Sequence, residues 1–246
     1  MIAGIKKHPF GVQAFFESTA VLTFAVPQVF LRERIPECLE LDTYKNTWAF
    51  IAVAMVNARN LRPEGFPSIL GSNSFQIGYR IFVRYTNSSG KSLRGLYILQ
   101  SETNAWKMKF LGNIFTSYLY KKKGIVYSFN DSLYKVYSKE DGFKVSLNTS
   151  MDNVPGLPEN SPFTSWKEAQ RFSGPLPFTF SFNKQSGEVT IVEGVREHWE
   201  PQAVKIIDCE IPYLSTFLPK VWVPASAFLI TNVPYSWKKG KVEQWK

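Results

Sequence analysis

The dominant pattern along the chain is an alternation of apolar and polar positions with a period of two. It runs through "TWAFIAVAMVNARNL" (47–61), "FQIGYRIFVRY" (75–85), "RGLYILQ" (94–100) and "SLYKVYS" (132–138). Such alternation predicts half-buried strands. Later segments repeat it: "FTFSFN" (178–183), "EVTIVEG" (188–194), "AVKIIDCEI" (203–211) and "SAFLITNV" (226–233). Clusters of turn-forming residues separate them, at "NSSGK" (87–91), "KEDG" (139–142) and "NKQSGE" (183–188). Helical spacing is rare. "PQVFLRERI" (27–35) starts at one proline and stops before another, which predicts a short helix. "TNAWKMKFLGNIF" (103–115) predicts a second helix behind a Thr103 cap, and Ser165 with Glu168 has the capping-box spacing of a third. The stretch "NTSMDNVPGLPENSPFT" (148–164) has a linker-like composition, yet the strands on either side of it look alike. The pattern predicts one mainly β (α+β) domain over residues 1–246: a large antiparallel or mixed sheet, curled towards a barrel, with a few short helices.

The strand at 75–85 carries the most information. Its odd positions, Phe75, Ile77, Tyr79, Ile81, Val83 and Tyr85, form an apolar and aromatic face. Its even positions include Gln76, Gly78, Arg80 and Arg84. An antiparallel sheet with one wet face would turn the even positions to solvent. The alternative is a cavity wall on which Gly78 permits close approach and the Arg80 fork meets a carboxylate.

Composition narrows the function classes. Of the 246 residues 44% are hydrophobic and 15% aromatic, with 20 Phe, 11 Tyr and 7 Trp, which suits strands and a ligand-lined cavity. The net charge of +9 favours an acidic small molecule, an anionic surface or nucleic acid. No zinc-finger spacing, arginine-rich recognition helix or RNP-like signature accompanies it, so nucleic acid is not the expected partner. The two cysteines, Cys38 and Cys209, lie far apart without companions, as buried free thiols in a reducing cytoplasm would. The two histidines, His8 and His198, lack metal-ligand spacing, and no nucleophile elbow or Walker loop occurs. The first residues do not read as a signal peptide, and no apolar run reaches the ~18 residues of a membrane span. The expectation is a cytoplasmic protein without metal or cofactor, with assembly into homo-oligomers left open.

Taken together, the segments resemble a known family. "IPECLELDTYKNTWAFIAVAMVNARNLRPEGFPSILGSNSFQIGYRIFVRY" resembles the front half of the DUF2071 proteins, with its "R-P-x-G-x-P" and "Y-R-x-x-V-R" patterns. "RGLYILQSETNAWKMKFLGNIFTSYLY" is similar to their "R-G-L-Y-F-L" strand, the helix after it and a "G-N-x-x-T-x-Y-x-Y" segment. "EAQRFSGPLPFTFSF" and "VPYSWKKG" resemble their C-terminal half. The likeness runs from about Gln13 to Gly240, across the linker-like stretch. That family is similar in fold to acetoacetate decarboxylase, a β-rich protein with an interior cavity. The resemblance therefore implies an acetoacetate-decarboxylase-like fold and an inward-facing Gln76 and Arg80.

The decarboxylase forms a Schiff base through a lysine whose pKa its surroundings lower. "YLYKKKG" (118–124) also follows a predicted helix, which makes Lys121 and Lys122 candidates for that chemistry. Matched by helix and strand, however, the catalytic lysine falls nearer Tyr118 or Tyr120, the supporting glutamate near Gln76 and the supporting arginine near Glu17. If 118–123 continues a strand, Lys121 and Lys123 share a face about 7 Å apart. In water that pair interacts by only about 0.6 kcal/mol, so burial would be needed to activate an amine. The expected function is binding of a small carboxylate-bearing or apolar molecule in the cavity, with Arg80 as anchor and Gln76, Tyr118 and Tyr120 as polar lining. The alternatives are a Schiff-base lyase using a lysine in 121–123 and a basic interaction module without catalysis.

Overall fold

The computed structural model describes residues 6–130, 132–150, 156–174, 176–218 and 222–245. The chain enters on the long strand β1 (Val12–Pro27) and passes the single-turn helix α1 (Val29–Arg32) and the short β2 (Glu40–Leu41). It returns on β3 (Trp48–Pro63), β4 (Ser72–Thr86) and β5 (Ser92–Thr103). Helix α2 (Trp106–Phe115) and β6 (Tyr120–Lys122) follow, then a meander of β7 (Ile125–Asn130), β8 (Leu133–Ser138) and β9 (Lys144–Asn148). Helix α3 (Trp166–Ser173) leads to β10 (Phe178–Asn183) and β11 (Glu188–Arg196). The last elements are β12 (Gln202–Ala203), β13 (Lys205–Glu210), helix α4 (Pro212–Ser215), β14 (Val223–Trp237) and β15 (Lys241–Gln244).

The fold is mostly β, a curled mixed sheet with short helices. Its path runs β12-β14-β1-β3-β4-β5-β10-β11-β15, and β11 also pairs with β14. The curl thus meets itself along a seam where Gly194, Val195 and Arg196 face Trp237, Ser236 and Tyr235. The pairings of β5 with β10 and with β6 are parallel. Strands β13, β9, β8 and β7 form a second, smaller sheet.

The two faces of the main sheet part by side-chain size. On β3 and β4 the residues Ile51, Val53 and Met55, with Phe75, Ile77, Tyr79 and Ile81, are fully buried in one core with Tyr134, Val136, Val145 and Leu147 of the smaller sheet. Their alternate neighbours on the opposite face, Ala52, Ala54 and Gly78, are small and leave space there. One face therefore supplies most of the apolar burial that stabilises the fold, and the other is free to build a pocket. Below the pocket, Phe50, Phe82, Phe163 and Phe172 form an aromatic cluster under α3, with Phe50 stacked on Phe163 at 5.4 Å.

Several local expectations are corrected. Pro27 ends β1 rather than opening a helix, and the predicted 27–35 helix shrinks to Val29–Arg32. Thr103 belongs to β5 and Ala105 occupies the cap of α2, although the Thr103 hydroxyl does accept from the Ala105 amide at 3.2 Å. Ser165 caps α3 as its spacing implies, accepting from the Glu168 amide, while the Glu168 carboxylate accepts from Thr164 and Tyr44. Of the linker-like stretch, residues 151–155 lie outside the described residues. Among the described residues no helix is long and apolar enough to cross a membrane. Cys38 is buried and Cys209 half-buried, and both are free thiols.

Candidate functional site

The pocket on the small-residue face has a volume of about 120 Å³. Strand β4 contributes Gln76, Gly78, Arg80 and Phe82 to its wall, all at even positions, with Ile77 beside them. Arg84, the next even residue, is drawn away to the buried carboxylate of Asp42, which it meets at 2.7 Å, and Arg94 holds the same carboxylate from the other side. Strand β1 reaches the pocket with Phe16, Thr19 and Val21, of mixed parity because its pairing register slips between Phe16 and Ser18. A second slip lies beside Arg80, where Tyr79 pairs with Gln100 but Arg80 pairs with Ile98. Bulges of this kind re-aim side chains next to functional sites.

Arg80 has an unusual setting. Its Nε is shut off from solvent and has no hydrogen-bond partner, and among the described residues no carboxylate pairs with it. The guanidinium lies over Gly78, where an added Cβ would stand 2.9 Å from Nε. Burial pushes the Arg80 pKa below its ordinary value; Tyr235, Tyr120 and Tyr118 oppose that, and a second guanidinium, Arg196, adds to it. Arg196 sits at the seam, 4.5 Å over the Trp199 ring and 5.1 Å over Tyr235, with one amino group donating to the Tyr235 hydroxyl at 3.4 Å. Two cations thus share one pocket. No Asp, Glu or Lys is among its described lining residues.

The tyrosines complete the polar wall. The Tyr120 hydroxyl donates to the side-chain oxygen of Gln76 at 3.1 Å, and the Gln76 amide donates to Ser74 at 3.0 Å. Asn113 fixes Tyr120 from behind, its amide donating to the Tyr120 carbonyl and its oxygen accepting from the Tyr120 N–H, at 2.9 and 2.8 Å. Gly112 lets the Tyr120 ring pack on α2, since a Cβ there would meet the ring at 2.4 Å. The Tyr118 hydroxyl is buried, with the Thr179 side chain as its polar neighbour but no hydrogen bond of ordinary geometry. Burial raises the pKa of both phenols, Tyr120 to about 12, so each is a proton donor at neutral pH.

The structure brings four of the expected residues together, Arg80, Gln76, Tyr118 and Tyr120. It does not bring the lysines. Lys121 and Lys122 are both exposed, and neither lines the pocket. Strand β6 ends at Lys122, so the expected alternation stops there, and Lys123 turns inward to the buried Glu102 at 2.8 Å and to Asp141. These two carboxylates raise its pKa against the effect of burial and hold the amine protonated. Glu17 is taken up by Arg59 at 2.9 Å and by Asn57 at 2.6 Å. The sequence reading missed Arg196, Trp199, Tyr235 and Trp237. An available signal was the alternation of Val233, Tyr235 and Trp237 inside "VPYSWKKG", which puts two aromatic residues on one face.

A second, outer pocket of about 410 Å³ adjoins the first. Gln76, Tyr118, Tyr120 and Trp237 line both. Its other walls come from α2, from the segment around His8 and Phe10, and from the end of β3 with Leu70 and Ser72 beyond it.

Comparison with known proteins agrees with this architecture. The family model DUF2071, described as an uncharacterized conserved protein, matches residues 14–218. No curated protein matches the chain. Among solved structures, acetoacetate decarboxylase from Legionella pneumophila is similar with a TM-score of 0.60 at 11% identity, over 96% of this chain and 88% of that one. An acetoacetate decarboxylase-like enzyme from Sphingomonas wittichii has a TM-score of 0.58 at 12% identity, over 96% and 92%. The enduracididine biosynthesis enzyme MppR, in complex with the condensation product of pyruvate and imidazole 4-carboxaldehyde, has a TM-score of 0.55 at 8% identity, over 95% and 89%. At these identities the likeness is one of fold.

Proposed function

The chain belongs to the DUF2071 family, and we propose that it binds a small organic anion, a carboxylate, in the inner pocket. The observation that carries this reading is the pair Arg80 and Arg196 on a wall without a described acidic residue. A buried guanidinium without a counter-ion costs several kcal/mol in effective desolvation, and two in one pocket also repel. A carboxylate entering between them offsets both costs and accepts charge-assisted hydrogen bonds. The Thr19 and Tyr118 hydroxyls and Arg80 Nε are wall donors without protein acceptors, and a ligand would reach them as these side chains shift. Arg196, stacked on Trp199 and Tyr235, keeps its orientation while it waits for the ligand.

The fold neighbours support the size and class. Acetoacetate is a keto acid by the decarboxylase's own name, and MppR holds a product derived from pyruvate. Imine chemistry of the decarboxylase type would need an amine in the pocket, and the described lining offers guanidinia and phenols instead. Binding without a lysine-derived Schiff base is therefore the better-supported reading.

Titration calorimetry with acetoacetate, pyruvate and benzoate tests it. Arg80→Gln is expected to weaken binding by tenfold or more, since truncating one partner of a buried charge pair costs about 2–5 kcal/mol. Binding that Arg80→Gln leaves intact, or an acid trapped on Lys121 or Lys122 by borohydride, would refute it.

A further inference from the structure

The outer pocket has no task in the binding of a keto acid. The inner space of about 120 Å³ takes the carboxylate head beside its two guanidinia. The outer space, about 410 Å³, is the larger and its chemistry differs. Phe10, Leu61, Met108 and Phe115 make its walls largely apolar, and no described lining residue is acidic. Of its three basic side chains, His8 is buried with its pKa pushed below the ordinary value, Arg62 already donates to the carbonyls of Phe66 and Asn60, at 2.9 and 3.0 Å, and Lys107 is exposed. At its rim Trp106 and Phe110 stack on each other at 5.3 Å and remain 61% and 51% exposed, and Leu111 beside them is 46% exposed.

Charge thus falls off through the shared wall: two guanidinia inside, a largely apolar surface outside in which the buried His8 imidazole is the polar exception. From this gradient we infer that the ligand is an amphipathic acid. Its carboxylate head lies at Arg80 and Arg196, and an aliphatic or aryl chain passes Gln76, Tyr118, Tyr120 and Trp237 into the outer pocket beside α2. The inference rests on the anion reading above and adds the chain. The wall between the pockets includes the Tyr120–Gln76 hydrogen bond, a contact between side chains. A ligand chain can displace it without moving a strand. The occupant assigned to the outer pocket is the chain of the bound acid, because the pocket adjoins the arginine site across the four residues common to both.

Calorimetry with straight-chain alkanoates from butanoate to decanoate, kept below their micelle concentrations, tests the chain separately from the head. Affinity is expected to rise about fourfold per added methylene, the value for burying one CH₂. Leu111→Glu, or Phe110→Glu should the first fold poorly, is expected to reduce that increment, and Arg80→Gln to weaken every member by a similar factor. Affinity that depends on Arg80 but not on chain length would overturn the chain and leave the anion site standing. No binding by any acid would overturn both. A length-dependent gain that neither rim variant changes would place the chain elsewhere and overturn the inference. So would a dimer in sedimentation that decanoate leaves intact and that Trp106→Glu dissociates, since a second copy would then own the rim.

Discussion

The Arg80 guanidinium rests on the bare backbone of Gly78, two residues earlier on the same strand, where a Cβ would lie 2.9 Å from Nε and 3.2 Å from one amino group. The glycine's vacant space is filled by the protein's own arginine. A side chain at residue 78 would displace the fork from this resting place. Gly78→Ala is therefore expected to fold normally, with a melting temperature within a few degrees of the parent, because the clash is with the flexible end of a side chain. Carboxylate affinity is expected to fall by roughly three- to tenfold, about 0.7–1.4 kcal/mol. Calorimetry and a thermal melt on the same sample check both halves, and unchanged affinity would show that the resting place of Arg80 is not its binding position.

Arg80 should also cost stability when no anion is bound. It is a half-buried charge, its Nε shut off from solvent, without a described carboxylate partner and facing a second guanidinium. Replacing buried ionic groups by apolar ones of similar volume stabilises some proteins by about 1–4 kcal/mol. Arg80→Met is accordingly expected to raise the melting temperature of the ligand-free protein by several degrees, at about 2–4 °C per kcal/mol for a chain of this size. The same change should abolish the stabilisation that an added carboxylate gives the parent. A site that costs stability and confers binding is the usual signature of function. A lower melting temperature for Arg80→Met would mean that Arg80 has a structural partner.

How much of this was legible in the sequence depends on the distance over which each contact acts. The wall of β4 was readable because both of its faces are written in one stretch: large residues from Phe75 to Tyr85 mark the core, and Gln76, Gly78 and Arg80 the other side. Strand β1 was not, because its register slips twice, between Gln13 and Phe15 and between Phe16 and Ser18, which breaks the period of two. Its second half, Leu22 to Val26, is buried on both faces, so alternation vanishes there as well. Arg196 and Tyr235 meet only because β11 and β14 pair across the seam, a long-range event that no local pattern encodes. The three lysines look alike in sequence. What separates Lys123 from its neighbours is Glu102, a buried acid on another strand.

His8 gives the fold a response to mild acid. It is 6% exposed, its Nδ1 has no hydrogen-bond partner, and burial lowers its pKa below 6.5. The unfolded chain therefore binds a proton at a pH where the folded one does not. Stability from this group is complete above about pH 6.5 and is lost as the pH falls from there towards the lower folded value, by at most ~1.4 kcal/mol per pH unit. Carboxylates titrate near pH 4 and below, which leaves the window from about pH 6.5 to 5 to histidine, and His198, the other one, is exposed. The consequence reaches the outer pocket, because the His8 amide donates to the Phe115 carbonyl at 3.0 Å and the Gly240 amide donates to the His8 carbonyl at 2.8 Å. His8 also has φ +52°, a conformation that asparagine tolerates. Urea unfolding followed across pH 5–7 is expected to show a loss of stability in the parent and a flatter profile in His8→Asn. A parent profile that is already flat over this window would place the His8 imidazole in contact with solvent.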